Sequence, residues 1–512
     1  MIAVSNGRLI LTVCLAASTT SVVAAGMSYL IVPLLGDLNL TQDEAINALV
    51  IPGIGGLLLV FVAGVLGARF GERRTLGVAA STYFAGALLV AIAPDIRLVT
   101  LGLLIVSCSG ITLSIVSLSL LNSRISEPAQ RATAFATLGV VAPAVFIAMP
   151  VLSGALTQFA SWRWIPVLWA VLAVFVVLAT IVFLRPVDRP SKRQEFVSPI
   201  LAGLFLAAIL QVLNNWPAGG LSSVRVWIPL AVACAAFVGF IYARNRVASP
   251  SLTLAPLRSR ATTPLLIVAV LFPLANVFFY ITMGWQYLFG LSPLQTAVIL
   301  VPLQLACIVG ARFIAGPMVK KHGIYRSGLL LFSAYIIATF MLMLISPTAP
   351  VWIPMLMTSL WAGTFTGVAV VLSNAIMSSR PVTESGNTSS YQKAASAVSA
   401  SLSALLVAPL VFITIGNVLE GRIIEEGASP LLASSLTYSI QTSASPAEQS
   451  TLYVIELPGD KPLQELHGEA LIAGLRVDAL TAGGLGVVCL GLFAYARPGY
   501  VRDHKADSSK LR

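Results

Sequence analysis

Two carboxylates approach membrane depth in the last apolar run, 467–495: Glu469 near its start and Asp478 within it, two positions after Arg476. A charge at bilayer depth costs about 2.5–3.5 kcal/mol, so such a residue marks either proton chemistry or an ion pair between helices. Arg476 cannot be the partner within one helix, because residues two apart do not share a face. Arg312 sits about one turn inside the end of another apolar run. Its stem can carry the guanidinium back to the interface, or the charge can face an anion or a gate. Asp478 and Arg312 are therefore the candidate coupling charges. Other chemistry is missing: Cys14, Cys108, Cys234, Cys307 and Cys489 lie in separate apolar runs, and His322, His467 and His504 are scattered. That spacing suits neither a metal site nor a staple, so no metal and no cofactor are expected. No nucleophile and base occur together, and no phosphate-binding glycine loop precedes a helix, so catalytic residues are expected to be none and ATP is not the energy source.

Positive charge is concentrated where glycines interrupt the apolar runs. The stretch Gly64-Val-Leu-Gly-Ala-Arg-Phe-Gly-Glu-Arg-Arg74 has a partial echo 252 residues later, in Gly316-Pro-Met-Val-Lys-Lys-His-Gly-Ile-Tyr-Arg326. Small basic turns between long apolar runs are the mark of a polytopic membrane protein. Composition agrees, since 57% of the 512 residues are hydrophobic and 10% are charged, against about 25% charged in soluble domains. The net charge of +11 resides in short loops, which speaks for membrane topology and against nucleic acid.

The elements that must position these residues follow from the thickness of a bilayer, about 20 apolar residues per helix. That ruler predicts an all-α membrane protein of fourteen spans. The first run is long and closely followed by others, which predicts an uncleaved signal anchor. With the N-terminus inside, 24 of the 31 Lys and Arg residues fall in cytoplasmic segments, and Lys393 is counted with them. Both termini are then cytoplasmic. The longest connection, 416–466, lies outside and is acidic, with Glu420, Glu425, Glu426, Glu448, Glu456, Asp460 and Glu465 against Arg422 and Lys461. It reads as a solvated cap, or as a docking surface for a cell-envelope partner.

The loop from Gly64 to Arg74 resembles the basic loop after span 2 of the major facilitator superfamily, with Arg69, Gly71, Arg73 and Arg74 in place and Ala68 where the family has an aspartate. Met149-Pro-Val-Leu-Ser-Gly154 followed by Ser161-Trp-Arg-Trp164 is similar to the antiporter motif of span 5 and the start of span 6, with Pro150 and Gly154 retained. Together with Pro250 to Arg260, Gln286 to Pro293 and Gly468 to Arg476, these stretches make the chain resemble a divergent member of the fourteen-span drug:proton antiporter branch.

The resemblance implies a major facilitator fold: an N-terminal six-helix half at 1–184, a cytoplasmic linker with two inserted helices at 185–261, a C-terminal six-helix half at 262–495 that includes the loop 416–466, and a cytoplasmic tail at 496–512. It implies a cytoplasmic gate built from Gly64, Arg69, Gly71, Arg73, Arg74, Gly316, Lys320 and Arg326, whose arginines can hold helix C-terminal carbonyls and acidic partners. It implies a substrate cavity lined by spans 1, 4, 9 and 12, with Thr20, Ser107, Thr112, Asn276, Tyr280, Trp285, Gln286 and Trp361. The family's usual coupling acid in span 1 is absent, since that region reads Ser18-Thr-Thr-Ser-Val-Val23. A hydroxyl- and amide-lined cavity suits a neutral amphiphile or lipid.

The function these residues point to is secondary transport, exporting a hydrophobic or amphipathic small molecule or lipid by alternating access. The expected carrier is a monomer of the bacterial inner membrane, with protons as the candidate driving ion and multidrug resistance as its setting. Two alternatives stand beside it, a non-coupled facilitator and a transport-fold scaffold or sensor for envelope assembly that acts through 416–466.

Overall fold

The computed structural model describes residues 2–38, 51–185, 195–219, 223–247, 250–275, 277, 281, 295, 298–346, 349–442 and 452–510. Long apolar segments cannot leave backbone N–H and C=O groups facing hydrocarbon, so they close their hydrogen bonds internally. Every extended element among the described residues is accordingly a helix. In chain order they are α1 (Ile2–Asp37), α2 (Ile51–Leu58), α3 (Val60–Phe70), α4 (Glu72–Ile92), α5 (Ile96–Arg124), α6 (Pro128–Phe159), α7 (Trp164–Phe183), α8 (Val197–Gly219), α9 (Val224–Arg246), α10 (Ala255–Arg258) and α11 (Thr262–Leu271). After these come α12 (Val301–Val309), which passes through a π-turn (Gly310–Ala315) into α13 (Gly316–Met341), then α14 (Trp352–Ser378) and α15 (Ser385–Leu402). A second π-turn (Ser403–Val407) leads to α16 (Ala408–Glu425), followed by α17 (Pro430–Thr442) and α18 (Leu463–Lys510).

Local chemistry sets several of these boundaries. Asp95 caps α5 by accepting from Leu98 N at 2.9 Å, and Ser223 caps α9 by accepting from Arg225 N at 3.2 Å, each satisfying an orphan first-turn donor. Helix α2 meets α3 at a 44° bend. Eleven helices among the described residues are long and apolar enough to cross a membrane, or twelve if that bent pair is one span. One of the eleven, Val301–Leu344, is broken at Gly323, and Thr262–Leu271 is a shorter apolar helix. Fourteen remains the number expected from the sequence.

The helices form two groups. In the first, α4 packs on α5 and α7, and α1 packs on α5, α6 and α7. In the second, α12 packs on α14, α13 on α14 and α18, and α16 and α11 on α18. The groups join where α3 and α5 meet α15 and where α6 meets α12, α13 and α14. Helices α8 and α9 pair with each other, and α8 also leans on α3 and α15. Outward-facing side chains such as Val182, Val238, Ile337 and Ile413 are exposed, which suits a surface solvated by lipid tails.

The internal echo of the sequence has a structural counterpart. Gly71 (φ 84°) and Gly323 (φ 78°), which stand at matching places in the two basic turns, both adopt a positive φ. A side chain is strained there, so glycine lets each helix stop and the next one start at once. A second pairing lies at the other end of the bundle. Arg163 donates to Ala91 O (3.2 Å) and Ala93 O (2.7 Å) at the close of α4, and Arg476 donates to Ile345 O (2.9 Å) beyond the close of α13. Both arginines occupy helix C-termini, where unsatisfied carbonyls and the macrodipole favour a cation.

The stretch 416–466, expected as one long loop, is partly helical. Helix α16 runs through to Glu425, Gly427 turns the chain with φ 86°, and α17 follows. Lys461 Nζ to Glu469 Oε1 (2.7 Å) and Arg422 Nε to Glu469 Oε2 (3.3 Å) tie this cap to the start of α18. Tyr453 Oη and His467 Nδ1 also lie 2.7 Å apart. Residues 443–451 fall outside the described part of the chain.

Candidate functional site

A cavity of about 560 Å³ lies where the two groups face each other. Helix α6 supplies Phe135, Leu138, Pro143 and Phe146, α12 supplies Leu303 and Gln304, and α14 supplies Trp361, Phe365 and Thr366. Its volume falls in the range of about 300–1,000 Å³ that holds drug-sized ligands. The wall is mostly aromatic and aliphatic, and among the described residues no charged side chain lines it. Trp361 stacks on Phe365 at 5.4 Å, and Phe365 stacks on Phe272 at 4.7 Å, so one wall is a continuous aromatic plate.

The polar groups of this cavity are gathered on α12, α14 and α15. Gln392 donates from Nε2 to Ser373 Oγ at 2.8 Å, while its Oε1 is buried with no partner among the described residues. A buried acceptor without a donor is costly unless a ligand or water completes it. Gln304 and Gln392 were not singled out from the sequence. The signal was an uncharged amide inside an apolar run, which periodicity could not separate from a packing contact.

A second cavity of about 330 Å³ lies inside the first group, between α1, α2, α4 and α5. Thr20, Ser107 and Tyr83 provide its hydroxyls, and Val23, Met27 and Leu57 its apolar wall. Tyr83 Oη donates to Thr19 O at 3.0 Å, tying α4 to α1. The expected cavity residues therefore divide. Trp361 lines the larger space, Thr20 and Ser107 line the smaller, and Thr112 turns back on its own helix, donating to Cys108 O at 2.9 Å, away from both walls. Asn276, Tyr280, Trp285 and Gln286 lie outside the described residues.

Of the expected gate residues, Gly64 packs on α15 of the second helix group and Gly316 on α6 of the first. Gly64 of α3 packs so closely on α15 that a Cβ there would stand 2.5 Å from Gly386 O and 2.8 Å from Ser390 Oγ. Ser119 of α5 and Ser385 of α15 share a hydrogen bond of 3.0 Å, and the rings of Phe61 and Tyr391 touch edge to face at 5.3 Å. The two groups are thus pressed together at the end carrying the basic turns. Arg73 donates to Ile181 O (2.9 Å) and Thr180 O (3.4 Å) at the close of α7. The Arg69 guanidinium lies 4.7 Å from the Phe196 ring and 5.3 Å from that of Phe70. Arg74 is exposed, and so are Lys320 and Arg326 in the second turn. Where Arg73 holds carbonyls in the first turn, the second uses Tyr325, whose ring lies 5.2 Å from Phe493 of α18. Gly316 is buried beside Ala136 of α6.

Asp478 is wholly buried, and neither carboxyl oxygen has a hydrogen-bond partner among the described residues. A buried carboxyl without partners is tolerated only as the neutral acid. Tyr335 of α13 lies within its electrostatic reach, and the Tyr335 ring stands 6.1 Å from Phe365 on the larger cavity's wall. Arg312 is exposed within the first π-turn and lines neither cavity. In the antiporter-like stretch, Pro150 and Gly154 are half-buried. Met149 is buried, and its Cε lies 3.1 Å from where a Cβ on Gly26 of α1 would stand. Among the described residues no cluster of His, Cys, Asp and Glu could hold a metal ion.

Comparison with known proteins adds four findings. Residues 9–404 match the family model described as the Major Facilitator Superfamily. The tetracenomycin C resistance and export protein of Streptomyces glaucescens is 24% identical over 451 residues, 86% of this chain and 82% of that protein. The lincomycin resistance protein of Streptomyces lincolnensis is 30% identical over 52% of this chain and 56% of its own length. Among solved structures, the human organic anion transporter MFSD10 superposes with a TM-score of 0.62 over 95% of this chain and 99% of its own, at 14% identity, a likeness of fold alone.

Proposed function

The chain belongs to the Major Facilitator Superfamily and is an integral membrane transporter of small molecules, not an enzyme; from that premise we propose that it exports an amphipathic compound across a bacterial inner membrane by alternating access, coupled to protons through Asp478. The observation that carries this reading is the 560 Å³ cavity between the two helix groups, aromatic and uncharged among its described residues. Such a space desolvates an apolar body while Gln304 and Gln392 orient it. The direction of transport rests on the resistance and export roles in the names of the Streptomyces relatives.

In this reading the helix groups are the two halves of the transporter, residues 1–184 and 262–495, with the inserted pair at 185–261 outside the transport path. Both termini lie in the cytoplasm, and the protein acts as a monomer. The contact of Gly64 with Gly386 is the closed cytoplasmic gate, and rocking of the halves opens it. Asp478 is suited to the coupling role because it is buried and unpartnered among the described residues, and Tyr335, within its electrostatic reach, has its ring 6.1 Å from Phe365 on the cavity wall. A proton leaves it when the halves rearrange and water or a cation reaches α18.

The test is proton movement in proteoliposomes given an amphipathic aromatic dye. Wild type should move protons against dye, and Asp478→Asn should bind the dye but move neither. Dye flux without proton movement in either protein would make it a facilitator and remove the coupling role.

A further inference from the structure

Lys393 is counted among the cytoplasmic positive residues on sequence grounds, and in the structure it is part of a long helix, α15 (Ser385–Leu402). It lies eight residues into α15, on the face turned toward the first helix group. Gly386 and Ser390 of α15 are the residues packed against Gly64, and Lys393 follows them by seven and three positions, so it continues the same face toward the middle of the bundle. Its helix runs antiparallel to α3, since Gly64 meets Gly386 while Phe61 meets Tyr391 further along α15. Carrying that register one step on sets Lys393 opposite Leu57. The bond from Ser385 to Ser119 sets the same residue opposite Ile111 of α5. Leu57 and Ile111 both line the 330 Å³ cavity, while the preceding residue of α15, Gln392, lines the 560 Å³ one.

By this register Lys393 falls between the two cavities, whose described walls carry no charge and neither of whose linings includes Lys393 itself. Lys393 is half-buried and makes no hydrogen bond or ion pair with any described residue. A lysine at this depth without an acidic partner is retained at a cost, and the cost is met when an anion arrives. The acid with the deepest burial, Asp478, is on α18, which packs on α11, α13 and α16 and not on this face of α15.

We propose that Lys393 is the charge-recognising residue of the transport pathway and that the exported compound is an amphipathic anion, one acidic group on an apolar aromatic body. The acidic group sits on Lys393 at the junction of the cavities. The body lies against Met27 and Val23 on one side or the plate of Trp361 and Phe365 on the other. This names the substrate class of the transport reading above and rests on it.

Two probes with one aromatic core separate the possibilities: anilinonaphthalene sulfonate, which is anionic, and N-phenylnaphthylamine, which is neutral. Binding to and flux through the purified full chain are measured in phosphatidylcholine vesicles, where no anionic lipid competes, for wild type, Lys393→Gln and Lys393→Arg. Lys393→Gln is expected to weaken sulfonate binding by about tenfold or more, to leave the neutral probe's binding unchanged, and to be restored by arginine. Equal losses for both probes, no loss for the sulfonate, or no sulfonate binding by wild type would each overturn the assignment. If wild type binds the sulfonate through Lys393 yet moves neither probe, the transport reading fails and the assignment stands. If wild type moves both probes and Lys393→Gln moves them equally well, the assignment fails and transport stands.

Discussion

Trp361 of α14 stacks on Phe365 and lines the larger cavity while buried in the core, so it serves ligand binding and folding together. Truncation to alanine removes a rigid flat surface, and offset stacking is worth about 0.5–1.5 kcal/mol beyond the area it buries. Trp361→Ala should therefore weaken binding of a planar aromatic dye about five- to thirtyfold, a loss of about 1–2 kcal/mol, and lower thermal stability as well, because the side chain is buried. Equilibrium dye titration in detergent checks this, and undiminished binding would place the ligand elsewhere. The same scale shows where reading the chain alone stops. Trp361, Thr20 and Ser107, named through family likeness, line cavities here, whereas Gln304 and Gln392 passed unnoticed and Thr112 lines neither cavity. A hydroxyl in an apolar run can turn inward to its own helix or outward to a cavity, and composition does not distinguish the two.

Among the elements, the cap formed by α16, α17 and the segment before α18 is held to the bundle chiefly by Glu469, which takes both Lys461 and Arg422. The Glu469 hydrogen bond and charge raise the Lys461 ammonium above the ordinary lysine value. A raised value on a cation contributes stability that is fully present below the unfolded lysine range and is lost as pH climbs through the folded value. The melting temperature of wild type should thus exceed that of Lys461→Gln by a constant margin from about pH 6 to pH 9, and the margin should vanish only at more alkaline pH. A margin that disappears near neutrality would mean another group closes the cap. The helical continuation over 416–425 and the helix at 430–442 were not legible as structure, because an acidic, serine-rich stretch carries no long apolar run.

At the scale of the whole molecule, the two helix groups touch at the basic end through glycine and serine contacts and one aromatic pair. An interface of this kind can open without breaking a large core. Gly64→Val puts a branched side chain where Gly386 O now lies, which disfavours this closed arrangement without disturbing either group internally. In a background with the five native cysteines replaced, Ser385→Cys should react several-fold faster with a membrane-impermeant maleimide when Gly64→Val is added. Unchanged reactivity would show that this contact is not a gate.

What the sequence determined by itself was the class of object: an all-helical membrane protein, with basic glycine turns that repeat at a fixed offset. Both follow from local rules, since apolar runs in lipid must close their own hydrogen bonds and a turn at positive φ needs glycine. Gly71 and Gly323 obey that rule in the structure. Only the tertiary arrangement decided which side chains face a cavity, a neighbouring helix or lipid. In a soluble helix the polar stripe marks the outside, but a membrane helix is apolar all round, so one-dimensional pattern carries no such mark. Lys393 and Asp478 show the consequence. Their types and positions along the chain were plain, but only helix packing showed that Lys393 lies on the helix that packs against the first group and that Asp478 is wholly buried.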